Sequence, residues 1–264
     1  LYYGTKSEDF MRIESTKNEH IKNARALTHK KGRMEQGLHF VEGEKLVREA
    51  LISGSVFNNA FIEEGHEEMA CELAAAGANV LTVTRNVMES LCMTETPQWV
   101  AAAVKMPLYP LPVRYPKGLI VILDRLQDPG NLGTILRTAD AMGALGVLLG
   151  EGSADPFAPK PVRAAMGSTF HIPIWFGVLT EELDKLKAQD FMLICGHLEG
   201  SEALPSPGDR AAVVIGNEGA GVSPEVAGKC VLARLPMYGK AESLNASVAA
   251  GILIYEMAKR MRGK

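Results

Sequence analysis

The sequence predicts an α/β protein whose larger part is a parallel sheet with helices on both faces. Three observations carry that expectation. Continuous apolar runs at Gly118–Leu123, Gly146–Gly150, Phe191–Cys195 and Ala211–Ile215 suit strands buried on both faces. Helical patterns alternate with them, as parallel connections require. Finally, three glycine-rich polar turns follow apolar runs in the C-terminal half, and ligands of such sheets bind beyond the carboxyl ends of the strands.

The elements of the first half read as a small α/β layer structure. Helices are expected near 18–29 and 43–53, the second with Leu46, Val47, Ala50 and Leu51 on one face. Short apolar runs at 56–62 and 79–83 read as strands, as does Gln98–Lys105, and helices are expected at 66–76 and 85–92. Pro107, Pro110, Pro112 and Pro116 then break any helix or central strand and predict an extended spacer. The domains are therefore placed at 12–105 and 117–264, joined by a proline-rich linker at 106–116. In the second domain helices are expected near 131–143, 179–188, 224–229 and 246–261, the last with Val248, Ile252 and Tyr255 on one side. Met11 reads as a natural start, and residues 1–10 show no pattern.

Composition bounds the function. With 47% apolar and 22% charged residues the chain reads as a globular protein. No apolar run is long enough to span a membrane and no signal peptide is visible, so a cytoplasmic protein without a membrane partner is expected. Cys71, Cys92, Cys195 and Cys230 lack metal spacing, and no metal is expected. The net charge of −3 does not suit a bulk nucleic-acid binder, but Lys17, Lys22, Arg25, Lys30, Lys31 and Arg33 cluster with one acid, Glu19. The chain also ends on Lys259-Arg260-Met261-Arg262-Gly263-Lys264.

The first turn, Leu123-Asp124-Arg125-Leu126-Gln127-Asp128-Pro129-Gly130-Asn131-Leu132-Gly133, places Asn131 to cap a helix that carries Arg137. The second, Gly216-Asn217-Glu218-Gly219-Ala220-Gly221, lacks the Lys-Ser/Thr of a phosphate loop and the G-x-G-x-x-G of a dinucleotide site. Its acid suits a cation or a hydroxyl better than a phosphate. The third runs from Leu235 to Ser247, and either Ser243 or Asn245 could cap the last helix.

In order and spacing, these segments resemble motifs 1, 2 and 3 of the SpoU (TrmH-type) branch of the SPOUT RNA methyltransferases. Val162–Pro173 is similar to the stretch those enzymes carry between motifs 1 and 2. Ile13–Lys22, Phe40–Glu44 and Thr94–Gln98 are similar to hallmarks of their ribosomal-protein-like substrate-binding domain. The resemblance implies S-adenosylmethionine as methyl donor, a ribose 2′-hydroxyl of RNA as acceptor, a C-terminal trefoil knot and a homodimer. Ribosomal RNA is favoured as substrate over tRNA. A non-catalytic RNA-binding protein of the same fold is the rival.

Carried over by residue, the resemblance puts the donor against Gly216, Leu235 and Leu244, with Ile215, Met237 and Gly196 as neighbours. Arg137 matches the motif 1 arginine, expected to orient an RNA phosphate and stabilise the forming alkoxide. Asn131, Glu218, Ser243 and Asn245 fill the remaining polar positions of the catalytic set, with Asn131 and Glu218 expected to face the RNA. Lys17, Lys22, Lys30, Lys31, Arg33 and Arg163 are the expected RNA contacts.

Overall fold

The computed structural model describes residues 10–263, so all but Phe10 of the leading segment set aside above lies outside the described residues. Two compact units emerge, one of residues up to Pro107 together with Phe157–Phe170, the other of Leu108–Pro156 and His171 onward.

The first unit holds a five-stranded mixed sheet. Its strands are β1 (Met11–Ile13), β2 (Leu38–Glu42), β3 (Phe57–Glu63), β4 (Asn79–Val83) and β5 (Val100–Lys105), in the order β1-β4-β3-β5-β2. β1, β4 and β3 run parallel, while β5 is antiparallel to both β3 and β2. Helices α3 (Glu44–Ile52) and α4 (Glu67–Ala75) bury Leu46, Val47, Met69 and Leu73 on one face. Helices α1 (Glu19–Ala26) and α5 (Arg85–Leu91) bury Ile21, Ala24, Val87 and Met88 on the other. The helix expected at 18–29 is α1, which ends at Ala26, and after the extended His29 a further helix that the sequence did not predict, α2 (Lys30–Gln36), begins.

The second unit holds an all-parallel, six-stranded sheet. Strands β6 (Gly118–Leu123), β7 (Gly146–Leu149), β8 (Ile174–Phe176), β9 (Met192–Ser201), β10 (Arg210–Ile215) and β11 (Val231–Ala233) lie in the order β11-β9-β10-β6-β7-β8. Residues 119–123 and 211–215 are buried without a break, as their apolar runs require. Helices α8 (Leu179–Lys187) and α9 (Pro224–Ala227) pack with Ile120, Ile122 and Val214. Two further helices, α6 (Pro129–Ala141) and α10 (Ala246–Met261), pack against one another, and α10 also meets β10, β6 and β9. Full burial of each such aliphatic side chain contributes about 1.5–3 kcal/mol. Among the described residues no helix is long and apolar enough to cross a membrane.

Two boundaries differ from expectation. Helix α7 (Pro159–Ala165) and the turn Ser168–Phe170 were assigned by sequence to the second domain, yet Val162 and Phe170 are buried in the core of the first unit. Apolar burial, not chain continuity, decides their place. The proline-rich stretch is likewise not a free spacer in its C-terminal part. Tyr115 is buried, donates its hydroxyl to Glu182 at 2.6 Å and accepts from Arg210 at its carbonyl.

Candidate active site

Motif 1 begins where β6 ends. Asp128 caps α6, its Oδ1 accepting the Asn131 backbone N–H at 2.7 Å. Pro129 fits the first helical position, where no N–H is needed. The expectation that Asn131 is the cap is therefore corrected. Asn131 lies inside the first turn, 9% exposed, with its carboxamide free for other partners.

Those partners are the other two motifs. Asn131 Nδ2 donates to Glu218 Oε1 at 3.1 Å, and Asn131 Oδ1 accepts from Asn245 Nδ2 at 3.0 Å. One buried carboxamide thus joins residues that lie 87 and 114 positions away. Glu218 also accepts the backbone N–H groups of Gln127 at 3.1 Å and Asp128 at 2.9 Å. Asn245 caps α10, its Oδ1 accepting from Ser247 N at 2.9 Å and Ser247 Oγ at 2.7 Å.

These bonds settle the state of Glu218. Its partial burial works against the charge, but the N–H groups of Asp128, Asn131 and Gln127 outweigh it and hold the carboxyl below its usual range. An anion with three donors is an anchor, and a poor general base. The Asn131 carboxamide is thus held between Glu218 and Asn245. Of the five residues assigned to catalysis, the contacts bring these three together. Arg137 and Ser243 stand outside the chain of bonds. Both are exposed, and neither side chain hydrogen-bonds to a described residue.

The motif 2 turn is shaped by Asn217 and Gly216. Asn217 and Gly221 exchange backbone hydrogen bonds at 3.0 and 2.9 Å. The Asn217 side chain accepts from Gly219 N and Ala220 N and donates to Arg125 O. A Cβ on Gly216 would lie 2.2 Å from the Gly221 carbonyl carbon, so only glycine fits. Two residues passed over by the sequence reading complete the frame. Buried Asp124 accepts the Ser223 N–H at 2.6 Å, and Asn217 ties the turn to β6 through Arg125. The signal for Asp124 was its position directly after a continuous apolar run.

The residues assigned to the donor lie on β9, at the end of β10 and in the loop after β11. Gly196 lies just past the β9–β10 pairing, Ile215 ends β10 and Gly216 follows it, and Leu235, Met237 and Leu244 lie in the loop between β11 and α10. Residues 235–244 take part in no backbone–backbone hydrogen bond with described residues, so a run of peptide N–H and C=O groups is left for solvent or a ligand.

The expected RNA contacts divide. Lys17, Lys22, Lys30 and Lys31 are exposed, Lys31 beside Glu35. Arg33 is not an exposed cation. It is 3% exposed and donates to the Leu27 carbonyl at 2.7 Å, bracing the turn between α1 and α2. Arg163 is partly exposed, its guanidinium 3.7 Å from the buried Glu42 carboxylate, which accepts the Met93 N–H. In the basic C-terminal run, Arg262 donates to Met142 O and Arg260 pairs with Glu256.

The SpoU rRNA Methylase family matches residues 118–255, and the MRM3-like substrate binding domain matches residues 18–102. The chain belongs to the SpoU rRNA methylase family. Among relatives, the 23S rRNA (guanosine(2553)-2′-O)-methyltransferase RlmP of Bacillus subtilis (strain 168) is 37% identical over 249 residues, which is 93% of this chain and 98% of the relative. The AdoMet-bound rRNA methyltransferase from Sinorhizobium meliloti superposes with a TM-score of 0.88 at 36% identity, over 95% of this chain and 98% of that one. The SpoU methyltransferase AviRb from Streptomyces viridochromogenes, in complex with AdoMet, gives 0.80 at 27% identity over 92% and 98%. A SpoU chain thus places its three signature segments after β6, β10 and β11, tied through Asn131.

Proposed function

We propose that this SpoU protein transfers a methyl group from S-adenosylmethionine to a ribose 2′-hydroxyl of ribosomal RNA. The observation that carries the reading is the Glu218–Asn131–Asn245 chain of hydrogen bonds, which ties three separated segments into one site. Family membership and full-length likeness to rRNA methyltransferases support the donor and the RNA class.

The residues at the strand ends fit the donor. Unspent peptide groups over 235–244 can meet the polar edge of adenine, and Ile215, Leu235, Met237 and Leu244 offer apolar contact to its faces. We assign Gly196 and Gly216 to the same cradle. When bound, the donor supplies a methyl group on a positively charged sulfur.

Arg137 acts on the acceptor. Its guanidinium stays protonated and cannot serve as a base. It is exposed and, among the described residues, without a carboxylate partner, so it can hold an RNA phosphate and stabilise the charge that develops on the ribose oxygen as its proton passes to solvent water. Ser243, on the exposed loop before α10, is assigned to positioning the substrate. Asn131, Glu218 and Asn245 are positioning residues that fix the loops around it.

The remaining features follow the family. A trefoil knot over the C-terminal strands is supported by α10 returning to pack on α6, β6 and β10. A homodimer is supported by Val248, Ile252 and Tyr255, which leave an apolar stripe 40–50% exposed along α10. The small domain, with Lys17, Lys22, Lys30 and Lys31, is assigned to RNA binding in the cytoplasm. Mapping 2′-O-methyl sites in total RNA, with and without the protein, tests the reading. One rRNA site that depends on the protein is expected, and identical maps contradict it.

A further inference from the structure

The first unit contains a cleft of about 320 Å³ with an unusual lining. Its polar lining residues are Asn23, Gln36, Asn58 and Asn59, all carboxamides, and Leu27 and Leu38 add apolar side chains. None of the described residues that line it is charged, although α1 and α2, which contribute Asn23 and Gln36, also carry Lys22, Lys30 and Lys31. Its volume is in the range of small-ligand sites.

The strand that supplies two of these amides is bent to do so. Phe57 pairs with Val104 and Ala60 with Ala102, so Asn58 and Asn59 together oppose Ala103. That is a β-bulge, an insertion that re-aims side chains. Both asparagines and Ala103 line the cleft. Asparagine is also a poor strand former, and this strand carries two in succession. A local choice that conflicts with its element marks a place where something other than folding set the sequence.

The amides are poised differently. Asn79 Nδ2 donates to Asn59 Oδ1 at 2.8 Å, which leaves the Asn59 NH2 group as an unspent donor among the described residues. Gln36 spends one N–H on the Asn23 carbonyl at 3.0 Å and keeps its oxygen. The side chains of Asn23 and Asn58 hydrogen-bond to no described residue. The cleft therefore presents neutral donors and acceptors over an apolar floor. A phosphate would want cations there, and an aliphatic ligand would leave the amides unpaired. A planar, uncharged heteroaromatic ring with a donor–acceptor edge satisfies both.

We propose that this cleft receives one unpaired nucleobase of the RNA and reads its edge through Asn58, Asn59, Asn23 and Gln36, while the lysines of α1 and α2 hold the flanking phosphates. The inference rests on RNA being the substrate. It adds a sequence-reading site in the first unit, separate from the donor cradle.

The test uses the full-length protein and fluorescently labelled A6, C6 and U6 oligoribonucleotides, with a fully paired RNA duplex as reference. The wild type is expected to bind one hexamer about five-fold or more tighter than the others, the discrimination a carboxamide–base pair gives. Asn23→Ala/Asn58→Ala, both at exposed positions, should bring the three hexamers within two-fold of each other while leaving duplex and donor affinity unchanged. Lys30→Glu/Lys31→Glu should instead weaken all three hexamers alike. Equal binding of the three hexamers by the wild type, or discrimination retained in the double alanine variant, overturns the proposal. Failure of the wild type to bind either the hexamers or the duplex overturns the RNA reading beneath it.

Discussion

Asn245 donates its carboxamide N–H to Asn131 Oδ1 at 3.0 Å, joining the start of the last helix to the first turn of α6 across 114 residues. The same Asn131 donates to Glu218. Three loops that would otherwise move separately at the ends of parallel strands are thereby held in one arrangement, and that arrangement is what catalysis needs.

Removing the bridge should show in stability and turnover together. Asn131→Ala strips Glu218 of one donor and leaves the Asn245 N–H without an acceptor, at a cost of about 1–3 kcal/mol. Asn131→Asp keeps an acceptor for Asn245 but sets a second carboxylate against Glu218, and should be worse near neutral pH. Chemical denaturation and methyl-transfer rates of both variants check this. An alanine variant of wild-type stability and rate would remove Asn131 from the account.

The charge on Glu218 makes a pH-dependent prediction. Its folded pKa lies below the ordinary value, so the stability it contributes is present above the unfolded pKa of about 4.3 and is lost as pH falls through the folded pKa. Glu218→Gln should therefore be less stable than wild type near pH 7, with the gap closing on acidification below pH about 4. Thermal melts across that range give the comparison. A gap that widens in acid would mean the carboxyl is not held ionised.

Gly216 and Gly219 form a matched pair of substitutions. Alanine at Gly216 puts a Cβ 2.2 Å from backbone, whereas at Gly219 its nearest neighbour is Asn217 Oδ1 at 3.7 Å. Gly216→Ala should cost about 1–3 kcal/mol and weaken donor binding, while Gly219→Ala should change little. Calorimetry with S-adenosylmethionine and melting curves separate the two.

The basic stretch also divides under mutation. Lys30→Glu/Lys31→Glu changes exposed charge and should weaken RNA binding, with a smaller dependence on salt. Arg33→Ala removes a buried guanidinium and should lower stability instead. Salt-titrated RNA binding and denaturation of each variant distinguish these outcomes.

Long buried elements were legible because their apolar patterns are dictated by the sheet. β6, β4 and α10 fall where the runs at 118–123, 79–83 and 246–261 place them. The short strands β1, β8 and β11 have three residues each and carry no period of their own. The motif residues were legible through their resemblance to the SpoU family, but their partners were not. Asn131 looked like a cap because any Asn before an apolar helix does, and only the structure shows Asp128 in that place. Arg33 looked like an exposed cation because its burial depends on which carbonyl the fold brings to it.

The central claim is that this chain moves a methyl group to a ribose hydroxyl through Arg137. The direct measurement is a methyl-transfer assay with radiolabelled S-adenosylmethionine and unmethylated rRNA, followed by alkaline hydrolysis of the product. The account predicts label in an alkali-resistant dinucleotide for wild type, and none for Arg137→Ala despite unchanged donor affinity. Label recovered on a base, or wild-type transfer by Arg137→Ala, would contradict it.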